Sequence, residues 1–247
     1  MVLTTFESFI YRITLNRPEK HNAFDADMIE AVTSAVQATP SEARVIFFTG
    51  NGKSFCAGAD INYMRAQALF SEARNRDDAK KLSQMFEAIY EQTLPTVVYA
   101  HGNIFGGGLG ILAACDIAFA ADDAKFCFSE VKLGIIPAVI SPFVLRKTGV
   151  AFARRYFQSA EVFNSEVAQK VGLISEQLPS ALAEEKTAQL LSQLVAAGSD
   201  AQRSVKKLLH AYETFEPLSR DQLIFELVKL RSSNDAQERM QRFLEKK

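Results

Sequence analysis

The chain has 247 residues, which is enough for a large hydrophobic core arranged as one or two domains. Hydrophobic residues make up 48% and charged residues 23%, the fractions of an ordinary globular protein. The formal net charge is −1, from 28 basic and 29 acidic side chains, so no overall positive field favours nucleic acid or an anionic membrane.

The sequence shows no Lys/Arg-led apolar leader and no apolar run long enough to cross a bilayer. Cys56, Cys115 and Cys127 are an odd, widely spaced set without a C-x-x-C pair, which disfavours a zinc site or a disulfide framework. We therefore expect no metal, no disulfide and a reducing, cytoplasmic location.

Predicted strands and helices alternate along the first part of the chain. Residues 9–15 (FIYRITL) are β-rich and end in a turn at Pro18. Asp25 is a candidate N-cap for a helix over about residues 26–38. Residues 45–49 (VIFFT) are apolar without alternation, which predicts a strand buried on both faces.

The next segments lead to a glycine-rich centre. Residues 71–78 are polar, which predicts a mobile loop or the exposed start of a helix, and residues 81–93 form an amphipathic helix that stops at Pro95. The stretch 105–130 (FGGGLGILAACDIAFAADDAKFCFSE) follows a predicted strand at 96–100. It has the order glycine turn, short helix, second strand.

After Glu130 the pattern is mainly helical. Helices are predicted over 139–146, 151–159, a segment capped by Asn164 or Ser165, 181–197, and most of 201–247. We therefore predict an α/β core of mostly parallel strands over residues 1–195 and a helical region over 196–247.

The glycine turn has a chemical consequence that its residues alone predict. Glycine lets the backbone approach a ligand closely, and the first N–H groups of a helix have no internal acceptor. Such a turn suits an oxygen that carries or develops negative charge. Glu130 is the carboxylate that we expect to take part in the chemistry.

Two nucleotide-binding motifs compete with this interpretation. The segment 51–54 (NGKS) is like the end of a P-loop, but Phe47 stands where that motif needs its first glycine. Gly108-x-Gly110-x-x-Ala113 follows a strand as a dinucleotide fingerprint does, although that hypothesis leaves residues 55–60 and Glu130 without a role. The three histidines are scattered, and we expect each to be structural or exposed.

Four motifs, in order, resemble those of the crotonase (enoyl-CoA hydratase/isomerase) superfamily. They are residues 16–23 (NRPEKHNA), 54–64 (SFCAGADINYM), 105–108 (FGGG) followed by 115–117 (CDI), and 129–137 (SEVKLGIIP). The pattern 137–142 (PAVISP) is most similar to bacterial methylglutaconyl-CoA hydratase-type members.

The resemblance implies a spiral of ββα turns, a helical C-terminal trimerisation region, and an acyl-CoA thioester as the ligand, with coenzyme A as part of the substrate and no separate cofactor. It also implies a homotrimer or a dimer of trimers, with no nucleic acid or membrane partner. Backbone N–H groups of Ala59 and Gly107 would form an oxyanion hole, and Glu130 would be the general acid and base.

The resemblance further implies a set of substrate-binding residues. Arg17 and Lys20 would lie near the CoA phosphates, although a solvated turn explains them equally well. Ala57 would lie near the adenine, and Tyr63, Met64 and Phe70 are acyl-pocket or core residues. The remaining predicted contacts are Ala23, Gly58, Asp60, Ile61, Gly106, Gly110 and Pro137.

Gly110 departs from the pattern of hydratases with two catalytic glutamates, which carry the first glutamate at this position. We expect an empty space there that admits a branched or carboxylated acyl group. Gly110 puts a water clamp of two carboxylates in doubt but does not exclude hydration. The favoured hypothesis, on the pattern of residues 129–142, is hydration of a 2-enoyl-CoA, and the alternatives are a Δ3-Δ2-enoyl-CoA isomerase that uses Glu130 alone and a non-catalytic binder of CoA esters or RNA.

Overall fold

The computed structural model describes residues 1–67, 69–213 and Glu238. This part of the chain forms a six-stranded sheet, a three-stranded sheet and helices packed on them. The strands are β1 Val2–Glu7, β2 Ile10–Leu15, β3 Val45–Gly50, β4 Thr96–Ala100, β5 Asn103–Phe105, β6 Ile117–Ala121, β7 Lys125–Cys127, β8 Phe163–Asn164 and β9 Glu176–Leu178. The helices are α1 Ala26–Gln37, α2 Ile61–Gln67, α3 Glu72–Tyr90, α4 Gly107–Ala114, α5 Ser141–Ser159, α6 Ser165–Lys170, α7 Ser180–Ala196 and α8 Ser199–Glu213.

The large sheet has the order β1-β2-β3-β4-β6-β9, and β1–β2 is its antiparallel pair. The pairs from β2 to β9 are parallel, which confirms the predicted mostly parallel core. In the small sheet β7 pairs parallel with β5 and antiparallel with β8. Strand β1 was not predicted, because nearly all its side chains are exposed and no hydrophobic alternation marks it.

Strand β3 is buried on both faces, as its uninterrupted apolar run predicts. Ile46 and Phe48 belong to the main core, whereas Val45 and Phe47 pack with Leu191 of α7. Helices therefore cover both faces of the sheet at this strand, which removes the need for polar alternation.

The predicted helix starts are also present. The Asp25 side chain accepts a hydrogen bond from the Met28 N–H at 2.9 Å and so caps α1. The polar segment after Ser71 is the exposed first part of α3, not a loop. The two helices predicted on either side of residue 149 are the two segments of α5, which are separated by a break at Gly149, where the backbone has φ 72° and ψ 169°.

Helix α8 is held against the core by a buried lysine. Lys206 Nζ donates to the Leu94 carbonyl at 3.2 Å and to Asp116 Oδ2 at 2.8 Å. The predicted tail residues Leu223, Phe225, Leu227, Val228, Leu230 and Lys246 lie outside the described residues, so the trimerisation region and the boundary at residue 196 stay predictions. Among residues 1–67 and 69–213, no helix has both the length and the apolar character that crossing a bilayer requires.

Candidate active site

Two loops that are far apart in sequence meet beside Glu130. The Phe105 N–H donates to the Cys56 carbonyl at 2.9 Å, and the Cys56 N–H donates to the Asn103 carbonyl at 3.2 Å. This bridge brings the loop after β3 against the glycine turn before α4.

Ala59 is fixed on the other side of the same loop by Phe24. The Phe24 N–H donates to the Gly58 carbonyl at 2.7 Å, and the Asp60 N–H donates to the Phe24 carbonyl at 2.8 Å. The peptide that carries the Ala59 N–H is therefore held from both neighbours, which is the preorganisation that an oxyanion hole needs.

The glycine turn passes close to the Glu130 side chain. Gly106 has φ 47° and ψ −115°, and its N–H donates to the Cys127 carbonyl at 3.1 Å. A Cβ at this position would lie 3.4 Å from Glu130 Oε1 and 3.6 Å from the Gly58 Cα. These are ordinary van der Waals distances, so it is the positive φ and not the space that favours glycine at this position.

The two predicted oxyanion donors are present as unpaired N–H groups. Within the described part of the chain, neither the Ala59 N–H nor the Gly107 N–H donates to a protein oxygen. Gly107 is the first residue of α4, where the N–H groups point out of the helix and the helix dipole is positive. Both residues line the same cavity as Glu130.

Glu130 lies in a short 3-10 turn, Glu130–Leu133, two residues after the buried Phe128. Its Oε2 atom is buried and has no hydrogen-bond partner among the described residues. Burial raises the pKa of this carboxyl above its ordinary value, and the hydrogen bond from its own backbone only partly opposes the shift. The raised pKa that the sequence predicted from the apolar surroundings is therefore confirmed in direction.

The cavity in front of Glu130 has a volume of about 630 Å³ and mostly apolar walls. It brings together Ala57, Ala59, Ile61, Gly106, Gly107, Glu130 and Pro137 of the predicted site, with Tyr63 and Met64. Several apolar side chains at its rim are exposed, among them Ile61 (68%) and Ile136 (71%). Exposed apolar surface around a concave site is typical of a binding site for an apolar ligand.

Other predicted residues do not line this cavity. They are Arg17, Lys20, Ala23, Gly58, Asp60, Gly110 and Phe70. Gly58 and Asp60 support the loop that holds Ala59, whereas Lys20 is exposed and its contact with CoA phosphates stays a prediction.

Arg17 is engaged within the protein. Its guanidinium pairs with Asp25 at 2.5 Å and with Asp60 at 3.2 Å, and its side chain is 18% exposed. Burial acts to raise the pKa of Asp60, but the N–H groups of Tyr63 and Asn62, together with Arg17, hold it below its usual value. Arg17 thus ties the first turn to the starts of α1 and α2, and its predicted role near the phosphates stays a prediction.

The expectation of an empty space beside Gly110 is wrong. A Cβ at Gly110 would lie 2.5 Å from Cε1 and Cζ of Phe86 and 2.6 Å from Cγ2 of Ile140. Gly110 is buried in α4, and α3 packs directly on it through Phe86. Gly110 therefore provides room for a neighbouring helix and not for an acyl group.

The predicted site residues omit four polar residues of the cavity, Gln67, Asp78, Ser129 and Lys132. Asp78 lies in the segment assigned only as polar, yet it precedes Leu82 and Phe86 by four and eight residues on one face of α3. The sequence feature that could have identified Asp78 is a carboxylate on the otherwise apolar face of a predicted helix.

A second cavity of about 410 Å³ lies beneath α8, away from Glu130. Several of its polar groups pair with one another or with the backbone: Lys206 with Asp116, Tyr90 with Glu213, and Lys147 with carbonyls at the end of α4. Burial lowers the pKa of Lys147. The buried Oε1 of Gln202, by contrast, has no hydrogen-bond partner among the described residues. Among the described residues no cluster of His, Cys, Asp and Glu side chains forms a metal site.

Comparison with known proteins agrees with this geometry. The family model described as enoyl-CoA hydratase/isomerase matches residues 5–247. A protein of Rhodobacter capsulatus named "Probable enoyl-CoA hydratase" is 34% identical over 95% of this chain and 91% of its own length. The enoyl-CoA hydratase AKT6-1 of Alternaria alternata is 37% identical over 66% of this chain, and that match spans 53% of its length, so the chain spans about half of that relative.

The fold also matches solved structures. The crystal structure of an enoyl-CoA hydratase from Shewanella pealeana superposes with a TM-score of 0.93 at 33% identity, over 100% of this chain and 94% of that one. The mixed α/β architecture is therefore the fold of these structures, as the sequence motifs predicted.

Proposed function

Because the chain belongs to the enoyl-CoA hydratase/isomerase family, we propose that it is a hydro-lyase that adds water across the 2,3 double bond of an acyl-CoA thioester. The observation that carries this proposal is an unpaired, buried Glu130 oxygen in the same cavity as the unpaired N–H groups of Ala59 and Gly107.

In this mechanism the thioester carbonyl oxygen accepts hydrogen bonds from Ala59 and Gly107. Attack of water on the β-carbon moves electron density through the α-carbon onto that oxygen, and the two donors stabilise the resulting enolate. Each preorganised donor of this kind lowers the barrier by about 3 kcal/mol.

Glu130 performs both proton transfers. As a carboxylate it takes a proton from the attacking water, and as a carboxylic acid it then returns a proton to the α-carbon. A carboxyl whose pKa is raised by burial is a stronger base than an exposed glutamate and loses little as an acid at neutral pH.

A second candidate function is Δ3-Δ2 isomerisation, and the composition of the site favours it. Phe86 and Ile140 fill the space beside Gly110, so no second carboxylate projects from α4 to orient a water molecule. One carboxylate is enough to take a proton from the α-carbon and deliver it to the γ-carbon. A non-catalytic acyl-CoA binder is the third hypothesis, and it requires only the cavity.

The nature of the acyl group rests on the sequence motif alone. The pattern 137–142 resembles hydratases of branched, methylglutaconyl-like substrates, and Pro137 lies in the cavity wall. The steric argument from Gly110 does not support this choice, because that position has no free volume.

The test is turnover of a panel of enoyl-CoA thioesters by the wild-type chain, Glu130→Gln and the control Glu184→Gln, with products identified by mass spectrometry. Glu184 is exposed on α7 and does not line the cavity. We expect products that gain one water and a rate loss of about 10³-fold or more for Glu130→Gln alone. Double-bond migration without hydration would establish the isomerase instead, and equal rates for the two variants would exclude Glu130 from catalysis.

A further inference from the structure

A group of three polar side chains lies together in one wall of the mainly apolar cavity. The Tyr63 hydroxyl donates to Asp78 Oδ1, and the Gln67 side-chain amide donates to Asp78 Oδ2 at 2.6 Å. Tyr63 and Gln67 belong to α2, Asp78 belongs to α3, and all three line the cavity that contains Glu130. We call these three residues the polar wall.

The polar wall presents mainly hydrogen-bond acceptors. The Tyr63 hydroxyl donates its hydrogen bond to Asp78 and keeps its lone pairs as acceptors, and each Asp78 oxygen retains a further acceptor position. Gln67 keeps its carbonyl oxygen and one N–H. Burial and the bond to Asp78 raise the pKa of Tyr63, so the hydroxyl stays protonated.

The polar wall also carries the carboxylate of Asp78, which forms no direct ion pair, although the charge of Arg74 reaches Tyr63 and Lys132 lines the same cavity. Among the ion pairs of the described residues, none includes Asp78. The nearby Arg74 guanidinium stacks on the Phe70 ring at 3.7 Å from its centroid. A second carboxylate placed beside Asp78 in this partly buried site would therefore meet repulsion that no paired cation cancels.

We propose that the polar wall is a specificity subsite, in which Tyr63, Gln67 and Asp78 select an acyl-CoA whose acyl chain carries a hydroxyl group and reject one that ends in a carboxylate. The proposal deepens the proposed function, since it requires that the cavity holds the acyl chain. It replaces the carboxylated acyl group expected from the sequence with an uncharged, hydrogen-bond-donating one.

The experiment uses two matched sets of thioesters on the full chain. The first set is 2-enoyl-CoA thioesters of equal chain length that end in methyl, hydroxyl or carboxylate, compared by kcat/KM. The second is their saturated counterparts, compared by Kd in calorimetry, because binding reports on the subsite whether or not turnover is hydration. The specificity of the subsite can therefore be measured even if the chain does not hydrate enoyl-CoA thioesters.

The variants are Asp78→Asn and Tyr63→Phe, with Asp77→Asn as the matched control. Asp77 is the exposed neighbour of Asp78 on α3 and does not line the cavity, so its change removes the same charge from the other side of the helix. In the wild type we expect the hydroxyl-ended thioester to bind about tenfold or more tightly than the carboxylate-ended one, the size of one charge-assisted hydrogen bond.

Asp78→Asn should reduce that preference by about tenfold, Tyr63→Phe should reduce it by less, and Asp77→Asn should leave it unchanged. If Asp78→Asn only lowers the melting temperature and leaves the preference intact, the three residues merely join α2 to α3 and the proposal is overturned. Preference for the carboxylate-ended thioester in the wild type, abolished by changing the cavity-lining Lys132 to Met, would overturn it as well.

Discussion

The contact between Gly110 and Phe86 leads to a quantitative prediction for Gly110→Ala. The new Cβ would lie 2.5 Å from two atoms of the Phe86 ring, whereas carbon atoms pack at about 3.5–4.0 Å. The ring must therefore move by about 1 Å. Phe86 is fully buried between Phe24 and Phe143, with ring centroids at 6.5 and 6.1 Å, so it has little room to move.

Two contributions of opposite sign determine how much Gly110→Ala changes the free energy of unfolding. Overpacking of a core costs about 1–3 kcal/mol. Replacing a helical glycine by alanine returns about 1 kcal/mol. We expect a net loss of up to about 2 kcal/mol, which for a chain of this size lowers Tm by up to roughly 8 °C.

The assay is thermal and urea unfolding of wild type, Gly110→Ala, Phe86→Leu and the double variant at one protein concentration. Leucine lacks the two ring atoms that the new Cβ would meet, so the cost of Gly110→Ala should fall in the Phe86→Leu background, with a coupling of about 1 kcal/mol. The same cost of Gly110→Ala in both backgrounds would show that the overpacking comes from Ile140, whose Cγ2 lies 2.6 Å from the new Cβ, and not from Phe86.

Further predictions concern Glu130, the buried ion pairs and assembly. Because burial raises the folded pKa of Glu130, the wild type loses stability as pH rises through the ordinary glutamate value of about 4.3, so Glu130→Gln should gain Tm relative to wild type at about pH 8 and not at about pH 4. No difference between the two pH values would contradict the buried carboxylate. Lys206→Met removes the 2.8 Å hydrogen bond to the partly exposed Asp116 and the hydrogen bond to the Leu94 carbonyl, and should cost about 1–2 kcal/mol in urea unfolding. Arg17→Gln should destabilise the fold, because Asp60 loses its ion pair with Arg17. If this variant binds free CoA with the same Kd as the wild type, Arg17 does not bind the phosphates of CoA. We propose a trimer or a dimer of trimers, which a monomeric mass by light scattering at micromolar concentration would exclude.

Several features of this protein follow from local sequence. The uninterrupted apolar run of β3, the Asp25 cap of α1 and the glycine turn before α4 depend on residues within a few positions of one another. The same is true of Glu130 and its apolar neighbours, so its raised pKa was predicted with the correct sign. The order of motifs along the chain was enough to indicate the family.

Other features are decided by contacts between distant segments, which a single sequence does not reveal. Whether Gly110 faces free volume depends on where α3 places Phe86. The sequence alone predicted an empty space beside Gly110, which Phe86 in fact fills. Arg17 forms ion pairs with Asp25 and Asp60 because the first turn, α1 and α2 converge in space. Asp78 enters the cavity wall only because α2 brings Tyr63 against α3. Local propensity specifies each element, but packing chooses the partners of each side chain, and those partners determine what the cavity accepts.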